Sequence, residues 1–277
     1  MVDNPYSVLK KTPARYRTVH FQQIKDAGGK FAMLTCYDAM VANVFDEAGI
    51  ETLLIGDSLG NVVQGQNSTL GVTMEDMITF SKAVVAGTQR AFVLADLPFG
   101  SYEESVEQAV RSGVRLVKET GISAVKMEGG IEYVPHIQAL TAAGVAVVAH
   151  IGFTPQSEHV LGGFRVQGRE DDAAQQMVSE ALALQEAGAT MLLMELVPAD
   201  VAAAVDAALT IPTVGIGAGA DTTGQVLVWQ DALGLNQQRV PSFVKQYANM
   251  RQVLSDAAQT YRDDVLQGVF PDDEHSF

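Results

Sequence analysis

Short apolar runs rich in Val, Ile, Leu and Met recur along the chain, each followed by a longer stretch with helical spacing. The runs at 31–37, 52–56, 91–96, 124–128, 145–150, 191–196, 212–216 and 226–230 are apolar throughout rather than alternating. That pattern belongs to parallel strands buried on both faces. Between them, Thr73 with Asp76 and Ser101 with Glu104 have the spacing of helix capping boxes. Glycine in "TAAGV" (141–145) and "QEAGA" (185–189) sits where a helix should stop before the next strand. About eight βα units in 277 residues predict an α/β fold, a single-domain (β/α)8 TIM barrel over residues 1–277. Residues 1–20 are an N-terminal extension bringing an extra helical segment, and 268–277 form an acidic tail. A doubly wound open sheet is the alternative, which strand counting does not exclude. The gap between the last two runs is too short for a full helix.

Two further stretches carry pattern without an assigned partner. In the segment 242–266, Phe243, Tyr247, Met250, Leu254, Ala257, Tyr261 and Val265 recur at spacings of four and three. This predicts a helix whose apolar stripe packs on the barrel, with a subunit contact as the other reading. The loop "SLGNVVQGQNSTLGVT" (58–73) is long, polar and glycine-rich, as a lid over a site would be.

Composition narrows the class. Apolar residues make up 47% and charged residues 18%, the balance of a soluble globular protein with a sizeable core. The net charge of −15 argues against a nucleic-acid partner, because phosphate binding needs clustered Lys and Arg. Cys36 is the only cysteine, so there is neither an intrachain disulfide nor a thiolate metal site. No apolar run reaches the roughly 18 residues of a membrane span, and the N-terminus lacks a signal-peptide core. A cytoplasmic protein is expected.

Charge placement carries the chemistry. In a parallel barrel the C-terminal ends of the strands share one mouth, where active sites sit. Asp57 closes the second run in "TLLIGDSLG", and Asp96 closes the third in "FVLADLPFG". Lys126 and Glu128 lie two apart on the fourth and therefore on one face. His150 ends the fifth and Glu195 the sixth. Taken singly, each has a plain structural account as a cap, an ion pair or a core histidine. Together at one end of a barrel they would cost too much as unpaired charge, so a site is the better account.

Several carboxylates without cysteine or HExxH spacing suit a hard cation held by oxygen, Mg2+ best of all. Such an ion polarises a carbonyl and stabilises an enolate, and Glu195 on another strand is placed as the base. Lys126 then pairs with a substrate carboxylate or the enolate oxygen. "GIGAG" (215–219) offers a phosphate loop or simply a tight turn, and Arg165 and Arg169 in "GGFRVQGR" offer an anion site or ordinary surface charge.

The ordered motifs "TCYD", "GDSLG", "VQG", "ADLPF", "VKMEGG", "HIGFTPQS", "GGFRVQGR", "ALALQEAGA" and "GIGAG" make the chain resemble the ketopantoate hydroxymethyltransferase family over roughly residues 15 to 250. The resemblance implies Asp57 and Asp96 as Mg2+ ligands, with Glu128 bound directly or through water. It implies Asp57, Ser58, Asp96 and Lys126 as contacts of the keto acid, His150 as a pocket residue and Glu195 as the catalytic base. It further implies 5,10-methylenetetrahydrofolate as one-carbon donor to 3-methyl-2-oxobutanoate, a step of pantothenate biosynthesis, in a homo-oligomer expected to be a decamer. Gly71 stands where many relatives carry proline, with Gln66 just before it, and Gln230 stands where histidine is common. The nearest rival is a Mg2+-dependent lyase or mutase of the isocitrate lyase and phosphoenolpyruvate mutase group. Its usual D-x-D-x-G-Y-G and K-K-C-G-H stretches are absent. A catalytically silent metal-binding barrel is the reading outside enzyme classes.

Overall fold

The apolar runs form eight parallel strands in the computed structural model, which describes residues 7–163, 165–168, 171–236 and 240–277. They are β1 (Phe31–Thr35), β2 (Thr52–Ile55), β3 (Phe92–Asp96), β4 (Ala124–Glu128), β5 (Val147–Gly152), β6 (Met191–Glu195), β7 (Thr213–Ile216) and β8 (Gly224–Leu227). Each strand pairs with the next, and β1 pairs back onto β8 with Met33 opposite Val226. The sheet is therefore a closed TIM barrel, and the open-sheet alternative is excluded. Helices at Ala39–Ala48, Met74–Gly87, Val106–Thr120, Val134–Ala142, Asp171–Glu186 and Ala199–Ala208 make the crossovers. β7 and β8 are joined by a loop without a helix, as the short gap requires.

The chain packs as two compact units, Met1–Val228 and Trp229–Phe277. Within the first, the period-two alternation of strands stacks the barrel interior in layers. Phe92 and Leu94 on β3, Ala124 on β4, Val148 on β5, and Met191 and Leu193 on β6 belong to one buried apolar cluster. The next inward positions towards the C-terminal end are Asp96, Lys126, His150 and Glu195. The polar layer thus rests on an apolar floor.

The helix Thr18–Asp26 belongs to that floor. His20 Nδ1 accepts from the Arg17 amide at 3.0 Å, closing the helix start. Gly28, in the left-handed region at φ +66°, turns the chain after its end. Its Phe21 is fully buried with ring centroids 4.8 Å from Phe31 and 5.3 Å from Phe92, both edge-on. Gly224 is needed here, because a Cβ would stand 2.5 Å from the Phe31 ring.

Several expectations meet a different local physics. The Thr73–Asp76 capping box forms, with the Thr73 amide donating to Asp76 at 2.9 Å. The Ser101–Glu104 box does not: Ser101 turns back on Pro98, and Ser105 caps the helix by accepting from the Gln108 amide. β5 continues two residues beyond His150, to Gly152. β8 starts and ends earlier than its apolar run, because Gly224 and Gln225 carry the register while Trp229 begins a short helix. In the loop 58–73, residues Leu59–Val62 and Thr69–Gly71 are helical, and Ser68 Oγ donates to Glu158 at 2.8 Å. A Cβ at Gly71 would meet the end of the Gln66 side chain, which would have to move aside for any larger residue there.

In the second unit, Asn249 Oδ1 accepts from the Gln252 amide at 3.2 Å and starts a helix at Met250–Gln267. Phe243 and Tyr247 therefore lie outside it. The expected packing stripe is exposed, with Leu254 at 52% and Tyr261 at 61%. The acidic tail is exposed too. Among the described residues no helix is long and apolar enough to cross a membrane.

Phe21→Ala should leave a cavity in the floor and lower unfolding free energy by about 3–5 kcal/mol in urea titration. A loss below about 1 kcal/mol would show that the barrel closes without this plug.

Candidate active site

Five strand ends bring their ionisable groups to one mouth. Asp96, Lys126, Glu128 and His150 sit on the inward face of β3, β4 and β5, each no more than 4% exposed. Glu195 ends β6 with its side chain 13% exposed, so it alone of the carboxylates opens to the mouth. Asp57 lies two residues beyond β2, in the turn leading to the short helix at Leu59. The inward position just before it is Gly56. A Cβ there would stand 2.8 Å from Ser58 Oγ and 3.7 Å from Asp96 Oδ2. The missing Cβ leaves room for the Ser58 hydroxyl, while Asp96 Oδ2 accepts from the Asp57 amide at 3.0 Å, tying β2 to β3 across the mouth.

Lys126 is the hub. Its Nζ lies 3.1 Å from Asp96 Oδ1, 3.5 Å from Glu128 Oε1 and 3.2 Å from His150 Nδ1. An ammonium can only donate, so His150 Nδ1 accepts and the neutral ring carries its proton on Nε2. That nitrogen has no hydrogen-bond partner and stands 3.6 Å from Glu195 Oε2. Burial, then the Lys126 charge, hold the His150 pKa below its ordinary value, which keeps the ring neutral.

Four carboxylates face this one lysine. Burial, then repulsion from Asp96 and Glu128, push Asp57 well above the carboxylate range. Asp96 is raised by burial, with Lys126 pulling the other way. Burial also pushes Glu128 up, but the neighbouring charge of Lys126 outweighs it and holds this group below its ordinary value. Glu195 is pushed up to about 8, first by burial and then by Glu128. Lys126 stays charged, its neighbours Asp96 and Glu128 overcoming the burial that would discharge it.

The residues fit a hard divalent cation. Asp96 Oδ1 and Glu128 Oε1 are buried with ionic neighbours but without a hydrogen-bond partner. Negative charge exceeds positive, and every ligand atom on offer is a carboxylate oxygen. Among the described residues no three His, Cys, Asp or Glu side chains are grouped so as to hold a metal ion by themselves. An open site with one or two carboxylates, completed by water and substrate, is the usual Mg2+ arrangement.

Three residues outside the expected set complete the mouth. Tyr37 OH lies 2.8 Å from Ser58 Oγ and fixes that hydroxyl beside Asp57. Gln156 and Tyr102, both buried, bind Asp57 and Glu128 from behind. Tyr37 and Gln156 stand inside "TCYD" and "HIGFTPQS", which is the only sequence signal they left. Two other expected elements carry no ligand geometry. Gly217 and Gly219 adopt φ +60° and +78°, and Gly219 packs on Ala199, so "GIGAG" has a turn's reasons for its glycines. Arg165 is exposed, and Arg169 lies outside the described residues. Cys36 is fully buried, its thiol pushed up to about 12 by burial.

By fold and site, the chain is a TIM-barrel enzyme with its ionisable groups concentrated at the catalytic mouth. Solved structures with the same barrel include phosphonopyruvate hydrolase in complex with oxalate and Mg++ (TM-score 0.59, 15% identity, covering 94% of this chain and 93% of that one). Another is 2,3-dimethylmalate lyase, of the PEP mutase/isocitrate lyase superfamily (TM-score 0.59, 17% identity, 95% and 93% covered). At such identity they speak for the fold alone. The family is settled by sequence: the ketopantoate hydroxymethyltransferase model matches residues 15–273, and the chain belongs to that family of transferases. It is 58% identical over 273 residues to the 3-methyl-2-oxobutanoate hydroxymethyltransferase of Arthrobacter sp. (strain FB24), covering 99% of this chain and 90% of that protein. It is 51% identical to that of Corynebacterium glutamicum, covering 95% and 97%.

Glu195 should hold its proton up to about pH 8 in the cation-free protein and become a base only above that. Carbon-13 NMR of labelled glutamate, with Glu195→Gln to assign the signal, reads this directly. Added Mg2+ should move the titration to lower pH, since nearby positive charge favours the carboxylate. Titration near 4.5 without cation would contradict the site's electrostatics.

Proposed function

We propose that the protein transfers a hydroxymethyl group from 5,10-methylenetetrahydrofolate to 3-methyl-2-oxobutanoate, with Mg2+ as cofactor. With one water consumed, the products are 2-dehydropantoate and tetrahydrofolate, a step of pantothenate biosynthesis. The observation that carries this is the excess of buried carboxylate over cation, with Glu195 set apart beside His150 as the one carboxylate open to the mouth. Family membership selects the substrates.

In this reading Asp57 and Asp96 hold the cation, with Glu128 bound directly or through water. Bound Mg2+ supplies Lewis acidity towards the carboxylate and keto oxygens of the substrate, lowering the energy of its enolate. Glu195 takes the proton from the branched carbon. Burial raises its pKa to about 8 in the cation-free site, which makes it a stronger base than an ordinary carboxylate, and a bound cation would bring that value down so that the group is ionised at working pH. His150 Nε2, 3.6 Å from Glu195 Oε2, would steady that carboxylate as it exchanges its proton once the two close to hydrogen-bond distance. Ser58, held by Tyr37, and Lys126 contact the keto acid, Lys126 trading one of its protein partners for the substrate. The resulting carbanion attacks the methylene carbon of the folate, and water releases tetrahydrofolate.

The protein is read as cytoplasmic, without nucleic-acid or membrane partners. The exposed apolar residues of the helix Met250–Gln267 support a homo-oligomer, with a decamer taken from the resemblance. The lyase or mutase reading has only the shared barrel in its favour.

Incubation with 3-methyl-2-oxobutanoate in D2O should place deuterium at the branched carbon only when Mg2+ is present. Glu195→Gln should lower that exchange by about 100- to 10,000-fold. Dehydropantoate should form only when methylenetetrahydrofolate is added. Neither exchange nor product in any condition would establish the silent barrel instead.

A further inference from the structure

Gln156 sits on the loop after β5, only 6% exposed, and every polar atom of its side chain is committed. Its Nε2 donates to Asp57 Oδ2 and to the Leu97 carbonyl, both at 2.9 Å. Its backbone amide donates to Glu128 Oε2 at 2.9 Å. One residue therefore grips two of the carboxylates at the mouth, from strands that are not neighbours in the barrel.

The direction of the amide is set by the groups its nitrogen meets. The Leu97 carbonyl can only accept, so the NH2 end must face it, with Asp57 Oδ2 alongside. A flipped amide would set oxygen against both, two repulsive contacts in a buried place. Tyr102 supports this direction: its buried hydroxyl lies 2.5 Å from Gln156 Oε1 and donates to it, while accepting from the Glu128 amide at 3.3 Å.

We propose that Gln156, braced by Tyr102, is a positioning residue for the cation site: it fixes the carboxylates of Asp57 and Glu128 in the geometry that receives a divalent ion. The inference rests on the reading of Asp57 and Glu128 as groups that face Mg2+. Gln156 holds one oxygen of each carboxylate, Asp57 Oδ2 and Glu128 Oε2, while Glu128 Oε1 stays beside Lys126 and His150. The arrangement is fixed before any ion arrives, so binding does not have to order two buried side chains first. Partners of this kind are worth about 10- to 100-fold in metal affinity.

Manganese provides the probe. The full-length protein, Gln156→Ala and Tyr102→Phe are titrated with Mn2+ without substrate, free ion being read by electron paramagnetic resonance. Gln156→Ala should raise the dissociation constant by about 10- to 100-fold, and Tyr102→Phe should raise it by a smaller factor. Near-UV circular dichroism and unfolding midpoints in EDTA establish that each variant is folded. If Gln156→Ala does not fold, Tyr102→Phe keeps the ring packing and carries the test by itself. In the deuterium-exchange assay the Mg2+ concentration for half-maximal rate should rise, while the rate at saturating Mg2+ recovers to within about threefold of the parent.

A folded variant with parental Mn2+ affinity overturns the inference, as does a lower saturated rate with unchanged cation dependence. If the parent itself fails to bind Mn2+, the reading of Asp57 and Glu128 as cation ligands falls, and the inference falls with it. The two failures are distinct because the first shows up in the variants and the second in the parent.

Discussion

One buried ammonium organises the mouth of this barrel. Lys126 has two carboxylates and one imidazole around it, Asp96, Glu128 and His150. By donating to His150 Nδ1 it assigns the proton of that ring to Nε2. By standing beside Glu128 it keeps that carboxylate charged in spite of burial. What it cannot do is balance four carboxylates. Asp57 and Glu195 are left with raised pKa values, and the site is short of positive charge. The demand for a cation and the basicity of Glu195 are two consequences of the same imbalance.

The rest of the barrel makes such a layer tolerable. Taking ions out of water costs several kcal/mol each unless they are well compensated. Here they occupy only the last inward positions of the strands, above the apolar layers that hold the sheet closed. Phe21 seals the opposite end, and Gly56 clears space for the Ser58 hydroxyl. Polar strain and structural support are thus segregated by depth along the barrel axis. Substitutions at the mouth should act on chemistry, while substitutions in the floor act on folding.

Much of this was legible in the residues. The apolar runs located all eight strands, and seven came within about two residues at each end because burial on both faces leaves a local, contiguous signal. The eighth shifted, since Gly224 was chosen by the Phe31 ring packed against it and Gln225 faces outward. Ser101 had a cap's spacing but was taken by a turn on Pro98, and Ser105 capped instead. The helix Met250–Gln267 had a packing stripe that the chain leaves exposed, because periodicity marks an apolar face without naming what covers it. Asp57, Asp96, Lys126, Glu128, His150 and Glu195 stood out as charges at the ends of apolar runs. Tyr37, Tyr102 and Gln156 did not, being neutral or on loops where polarity is ordinary.

The sequence by itself therefore determined where the strands lie along the chain and at which of their ends the ionisable groups gather. Those follow from period and direction, which are properties of each segment on its own. Only the tertiary structure decided which carboxylate meets Lys126, which nitrogen of His150 holds the proton and which way the Gln156 amide points. These depend on distances of about 3 Å between groups far apart in the chain, and on the burial that makes such distances matter.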